Sequence, residues 1–437
     1  MSILTAPFLT DIDPQAAVKG SRDPLGLQTI WARLGRHVVG NLTTVSTSVR
    51  DFTTLILGYY FAERVANEAG GDGDLAVFLR WEQLAAYARG EINGDWKFRG
   101  VERVKNNLQD GTRVRLGTDS TAQILSNQKT YGLWGLYTVP ARSSGLVEGD
   151  PTRLTVPGRN LVETMYLPVF AKGGMRNADL VVTRLAKAKS DLDWRKADRP
   201  LLATIATVLN LHLGTDEGDV YRKHLLFGGP QDRTMGSQAI LAAAMESTLD
   251  DGSWTLTPPR IRHLAKCCRG HGDAGTAVAE RLEQIRTAEL LLAPAAALFS
   301  LILASDGQTV AEVSRVVRRR WGSSLQTIDL DAITSLETEL RDSTGEEETG
   351  QRWVQVARML TSGDFERALA LLLEQNRFVM KVRAGAAPWV DITNGRIRVR
   401  FRDEEGEDLP KRSKLSEFWR HSYFLDSLRA IALALRA

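Results

Sequence analysis

Residues 123–167, QILSNQKTYGLWGLYTVPARSSGLVEGDPTRLTVPGRNLVETMYL, decide how this chain is read. Glycines at 132 and 135 lead into a segment compatible with a short helix, which ends at Ser144-Gly145-Leu146-Val147. A charged turn containing Pro151 follows, then Arg153-Leu154-Thr155, then Pro157-Gly158-Arg159 opening an amphipathic helix. The order is helix, tight hairpin, helix. Pro140 is the awkward residue, because proline inside a helix removes a backbone donor and crowds the preceding turn, so a kink or a boundary is expected there.

Positive charge gathers around this stretch. Between Lys97 and Arg159 there are ten basic and five acidic residues, an excess of +5 in a chain whose formal total is +3. Contact with a phosphate backbone requires such a local concentration. The candidate contact residues are Lys129, Tyr131 and Arg142 on the first helix, with Arg153 and Arg159 on and after the hairpin. Arg113 and Arg115, on the β-compatible run Thr112–Leu116, complete the set. Arg142 has the reach for a guanine edge and Arg153 for phosphate or the minor groove. Trp134 and Tyr137 also read as core. With Pro140 in place, phosphate-dominated or shape-based contact is expected ahead of tight sequence readout.

The sequence of recognition helix, hairpin wing and closing helix resembles a winged helix, over about residues 75–170. The resemblance implies a module that offers the N-terminal part of its recognition helix to the major groove of DNA. Winged helices also serve as protein-interaction modules. Two further blocks, GSRDPLGLQTIWARLGRHVVGNLTT (20–44) and YFLDSLRAIALAL (423–435), resemble segments of large bacterial proteins that accompany anti-phage defence or DNA-modification gene clusters. That resemblance implies a non-enzymatic subunit acting with a nuclease, ATPase or modification enzyme, and it transfers no catalytic residue.

Around this module the patterning is mainly α and multi-domain. Residues 1–74 read as an N-terminal helical segment in which Asp23, before Pro24, supplies helix-start chemistry and the hydroxyl run 43–48 caps a helix from Val49. Residues 75–172 hold the winged helix-turn-helix-like module and 173–340 a helical middle domain. Residues 341–350, charged and without apolar side chains, read as a linker. Residues 351–437 carry helices and a β-hairpin, marked by Asn394-Gly395 between alternating strands, before a closing helix over 414–437. No fixed repeat period appears.

Composition bounds the rest. A 43% hydrophobic and 25% charged chain is that of an ordinary globular protein. The apolar run Leu290–Ala304 is fifteen residues long, short of the roughly 20 needed to span a bilayer, so it reads as a buried core helix. The first residues lack the pattern of a secretory signal, and the only cysteines, Cys267 and Cys268, are adjacent. A cytoplasmic protein without membrane contact is expected.

Other constellations have plainer readings. His263, Cys267 and His271 share a helical face, but Gly270 and Gly272 interrupt it and no fourth ligand is near, so no metal is expected. Arg315, Arg318, Arg319 and Arg320 before Trp321 suit phosphate, and equally suit the negative C-terminal end of a helix. Arg396, Arg398 and Arg400 line one hairpin face, with acids between Asp403 and Asp408 to offset them. Gly228–Arg233 reads as turn chemistry, and Asp191, Asp193 and Lys196 as a polar connection. There is no phosphate-loop, nucleophile-elbow or zinc-protease motif, and no cofactor is implied. The expected function is thus non-enzymatic DNA binding within a multi-protein system. The alternative is a protein scaffold whose winged helix contacts partner proteins.

Overall fold

Asp23 opens the first described helix. Its carboxylate accepts from the backbone N–H groups of Leu27 and Gln28 (2.8 and 2.9 Å), capping α1 (Leu27–Arg36). The computed structural model describes residues 23–69, 73–174, 178–210, 212–249, 254–341, 345–383, 387–400 and 409–436. After α1 come α2 (Val49–Ala69), α3 (Asp74–Glu91), α4 (Val101–Gln109), β1 (Arg113–Leu116), α5 (Gln128–Tyr131) and α6 (Leu133–Ser143). A hairpin, β2 (Val147–Glu148) and β3 (Arg153–Leu154), leads into α7 (Val156–Leu161), which a π-helical turn joins to α8 (Leu167–Lys172). Next are α9 (Asp179–Leu185), β4 (Ser190–Asp193), α10 (Arg199–Val208), α11 (Thr215–Tyr221) and α12 (Ser237–Glu246). The later elements are α13 (Pro258–Cys268), α14 (Gly272–Leu303), α15 (Val310–Trp321), α16 (Leu330–Ser335), α17 (Glu347–Ser362), α18 (Phe365–Val382), β5 (Val390–Thr393), β6 (Arg396–Val399) and α19 (Leu425–Arg436). The fold is mainly α, with 63% helix against 5% strand.

Two compact units emerge, and their limits differ from the boundaries read along the sequence. One unit comprises Met1–Val38 and Trp254–Tyr423, and the other Val39–Ser253 and Phe424–Ala437. The stretches read as a winged-helix-like domain (75–172) and the first half of a helical domain (173–340) therefore share one unit. A strand pairing accounts for this: β1 pairs antiparallel with β4, in the register Arg113↔Asp193 to Leu116↔Ser190, rather than with the hairpin. Asp191 and Asp193 thus lie on a strand, not in a polar connection. The expected linker 341–350 is also corrected in part, since α17 begins at Glu347. Its acids Glu347 and Glu348 occupy the first helical turn, where the helix dipole favours negative charge. Asp342–Thr344 lie outside the described residues.

The unit containing α2–α12 and α19 is organised around α3. This helix is buried all round, and its aromatic side chains meet those of α2 and α6: Phe61–Trp81 at 4.7 Å, Tyr59–Phe78 at 5.2 Å and Phe78–Trp134 at 5.1 Å between centroids. Gly58 permits that approach, because a Cβ there would stand 2.6 Å from the Phe78 ring. Arg80, Glu82, Gln83 and Arg89 of α3 are also buried, and each takes partners from a different part of the unit. Arg89 pairs with Asp51 (2.6 Å) and Asp95 (2.8 Å), all three side chains being almost completely enclosed.

The other described unit has α14 at its core. Its apolar segment, expected to be a buried helix, is one: the Pro258–Leu303 stretch is the only one among the described residues long and apolar enough to cross a membrane, and 89% of its apolar window is buried. Glu289 of α14 is fully enclosed and accepts from the backbone N–H of Arg420 (2.5 Å) and of His421 (3.0 Å). It also meets the His421 ring at Nδ1 (2.8 Å) and accepts from the Tyr423 hydroxyl (2.9 Å). That demand explains a correction at the C-terminus. Residues 418–424, read as part of one helix over 414–437, leave helical geometry to satisfy Glu289, and α19 begins only at Leu425. The hairpin at Asn394-Gly395 forms as expected, both residues having positive φ (52° and 72°) as a tight two-residue turn requires.

Gly58→Ala should destabilise the protein by roughly 1–3 kcal/mol, because a methyl group would have to displace the Phe78 ring in a close-packed core. Urea unfolding checks this, and an unchanged midpoint would show that α2 and α3 are not packed so closely.

Candidate nucleic-acid interface

Polar groups clamp α6 at both ends. At its N-terminus the first free N–H, that of Leu133, donates to the Glu82 carboxylate of α3 (2.7 Å), and the Gln128 side-chain amide donates to the same carboxylate (2.8 Å). At its C-terminus Ser144 meets the buried Asn41 side chain (2.9 Å), and its carbonyl lies 2.8 Å from His224 Nδ1. Between the two ends, the Tyr137 hydroxyl donates to the Val45 carbonyl (2.6 Å) and the ring is buried in the core, while the half-buried Trp134 packs on Phe78. Pro140 lies inside the helix without ending it, so of the expected kink or boundary the boundary does not occur. The face of α6 left outward consists of Gly135, Val139 and Arg142, and only the last carries a hydrogen-bonding side chain.

The hairpin follows as expected, with Val147 opposite Leu154 and Glu148 opposite Arg153. Arg142 reaches across its turn, donating to the Gly149 carbonyl (3.2 Å) and Thr152 Oγ1 (2.8 Å). Thr155 caps α7 by accepting from Gly158 N–H.

Ion pairs reorder the seven residues singled out from sequence. Arg153 pairs with Asp74 (2.5 Å) and Arg159 with Glu63 (2.8 Å). Arg113 and Arg115 face Asp193 and Asp191, each at 3.9 Å. All four opposing acids lie outside Lys97–Arg159, so counting charge along that window overstates the excess in space. Lys129 and the half-exposed Tyr131 stand differently: both are at the surface, and Lys129 has no carboxylate in ion-pair reach among the described residues.

Around them the fold gathers further cations. Arg99 donates from Nε to the Tyr131 carbonyl (2.6 Å), which fixes it beside α5. Arg103, on α4, donates to the carbonyls of Ser120 (3.2 Å) and Gln123 (2.7 Å), just before α5. Both are exposed, as is Lys97 two residues upstream of Arg99. Only Lys105 on α4 is paired, loosely, with Glu102 (3.7 Å). Arg99, Arg103 and Lys129 therefore form a cationic face beside Tyr131, and their carbonyl contacts pre-position the guanidinium groups without neutralising them. In the sequence Arg99 and Arg103 contribute only to the local charge excess. Nothing local distinguishes them from Arg113 and Arg115, because the difference lies in which partners the fold supplies.

Glu82 was missed from sequence as well. It sits in the apolar run of α3, and burial pushes its carboxyl up to about 7 even though Leu133 N–H and Gln128 favour the charged form. At His263 and Cys267, where no metal was expected, the side chains lie 3.8 Å apart, and burial pushes the neighbouring Cys268 thiol up to about 11. Among the described residues no three His, Cys, Asp or Glu side chains are grouped to hold a metal ion. No family model matches the chain, and no curated protein or solved structure matches it either.

Glu82 makes stability depend on pH. Its folded pKa, about 7, lies above the ordinary 4.5, so the native state keeps a proton that the unfolded state has released between those values. Stability should therefore fall as pH rises through that window, by on the order of 3 kcal/mol in total. In Glu82→Gln, the fall between about pH 5 and about pH 8 should shrink by most of that amount when measured by chemical denaturation. An equal fall in both proteins would rule out Glu82 as its source.

Proposed function

We propose that this chain is a non-enzymatic DNA-binding protein whose α3–α7 region acts as a winged-helix-like module. One observation carries the reading. Arg99, Arg103 and Lys129 are exposed beside Tyr131 and have no carboxylate in ion-pair reach among the described residues, the buried Glu82 being the acid whose field reaches Arg99, with Lys97 close by in the chain. Such a face suits phosphate, with Tyr131 available for packing on sugar or base. The outward stripe of α6 has few groups to read base edges, so affinity would come mainly from phosphate contact and carry little sequence preference. Association with a nuclease, ATPase or modification enzyme belongs to the same proposal and derives from the resemblance of residues 20–44 and 423–435 alone.

The second reading, a scaffold that binds protein, is favoured by a different observation. Val139 and Val156 are 59% and 73% exposed near the hairpin, where Arg153 and Arg159 are already paired with acids. Protein contacts prefer such a partly apolar, charge-balanced surface.

Replacing Arg99, Arg103 and Lys129 together by glutamine removes charge while retaining polar side chains. The expected result, by fluorescence anisotropy with a labelled duplex at low ionic strength, is at least a tenfold loss in affinity, on the order of 1.4 kcal/mol. The slope of log affinity against log salt should fall by about 2–3, reflecting the lost phosphate contacts. A variant with wild-type affinity and slope would remove this face from the binding surface. A wild-type protein that binds no nucleic acid at low salt would leave the scaffold reading.

A further inference from the structure

We propose that the unit built on α14 carries a second phosphate-binding site, a groove lined by Arg315 and Arg319 of α15 with Arg396 of β6 at the junction beside it, which takes the sugar–phosphate backbone of nucleic acid. The partner rests on the reading above, but the residues are separate from it.

The chain brings these three arginines together from positions about eighty residues apart in sequence. Gly307 N–H donates to the Ile397 carbonyl (2.9 Å), and Ile397 N–H donates to the Gln308 carbonyl (2.8 Å). Residues 307–308, just before α15, are thus joined to β6. Arg396 Nη1 closes the same junction on the Gly307 carbonyl (2.8 Å). Beside it lies a groove of about 580 Å³ lined by Gln308, Glu312, Arg315, Val316, Arg318 and Arg319.

Among the described residues the lining of this groove holds three arginines against one acid, and Asp403–Asp408 lie outside those residues. Arg315, Arg319 and Arg396 are exposed and have no carboxylate in ion-pair reach among the described residues. Arg318 is anchored by the Gly363 carbonyl (2.9 Å) and lies over the Phe365 ring (5.6 Å), so its charge is held at the groove without being neutralised. Glu312 is the one acid in the lining; its hydrogen bonds with Thr309, and after them Arg396 and Arg315, hold its carboxyl below the usual range, so it is also engaged within its own helix. Its carboxylate accepts from Thr309 N–H (2.7 Å) and the Thr309 hydroxyl (3.0 Å) in the capping box that starts α15.

Cations in the last turn of a helix are ordinarily explained by its dipole, and Arg318–Arg320 fit that account. Arg315 lies a turn earlier and Arg396 belongs to a strand, so the dipole explains neither. Arg315 and Arg319 are four residues apart on one face, separated by about 6 Å along the axis. Guanidinium forks so placed suit the oxygens of a phosphodiester chain.

The test uses the full chain with labelled duplex and single-stranded DNA at low ionic strength. Arg315→Gln/Arg319→Gln/Arg396→Gln should weaken binding about tenfold or more and lower the salt slope by about 2–3. Because Arg396 also holds the Gly307 junction, Arg315→Glu/Arg319→Glu serves as a second variant that leaves that junction intact. It should weaken binding at least as much per residue changed. Wild-type affinity and slope in both variants would overturn the groove, whatever the α4–α5 variant does. Loss in these variants with none in Arg99→Gln/Arg103→Gln/Lys129→Gln would support the groove and overturn the other face. Absence of binding by the wild-type protein would overturn both.

Discussion

Burying charge on α3 is the constraint on which the α2–α12 unit depends. A helix enclosed on all sides while carrying Arg80, Glu82, Gln83 and Arg89 is stable only if each polar group finds a partner, since an unpaired buried charge costs several kcal/mol. The partners come from separate segments. Arg89 takes Asp51 and Asp95, Arg80 takes the Leu185 carbonyl, and Gln83 exchanges two hydrogen bonds with the Gly117 backbone. Glu82 takes the start of α6. Satisfying this one helix therefore positions α2, the residues flanking α4, the end of β1, and α6.

The candidate interface inherits its geometry from that arrangement. Because Glu82 holds Leu133 and Gln128, α5 is set against α3, and Arg99 can reach the Tyr131 carbonyl. Gly132 has to be small for the same reason, as a Cβ there would stand 2.7 Å from the Glu82 carboxylate. The cationic face is thus a product of the buried network beneath it. At the hairpin the same unit supplies Asp74 and Glu63 to arginines that look free in sequence, and the surface there is close to neutral.

Glu289 plays a comparable part on α14. A carboxylate placed in an apolar helix draws four donors from residues 420–423, and the backbone there gives up helical geometry to provide them. In both units, then, an acid within an apolar helix organises a segment distant in sequence. Burial leaves such an acid no water, and backbone N–H groups and neutral side chains are the cheapest substitutes.

By itself the sequence determined what is local. The mainly α composition, the caps at Asp23 and Ser48, the helix–hairpin–helix order of residues 133–161, the buried helix near Leu290 and the Asn394-Gly395 turn all follow from periodicity and short-range hydrogen bonding, which operate over a few residues. Tertiary structure alone decided the rest. It paired β1 with β4, divided the chain after Val38, Ser253 and Tyr423, carried α6 through Pro140 and delayed the last helix to Leu425. It also decided which arginines are neutralised and which stand free. The physical reason is range: an ion pair or a buried hydrogen bond depends on distance in space, and Arg113 and Arg99 look alike until folding brings Asp193 to one and a backbone carbonyl to the other.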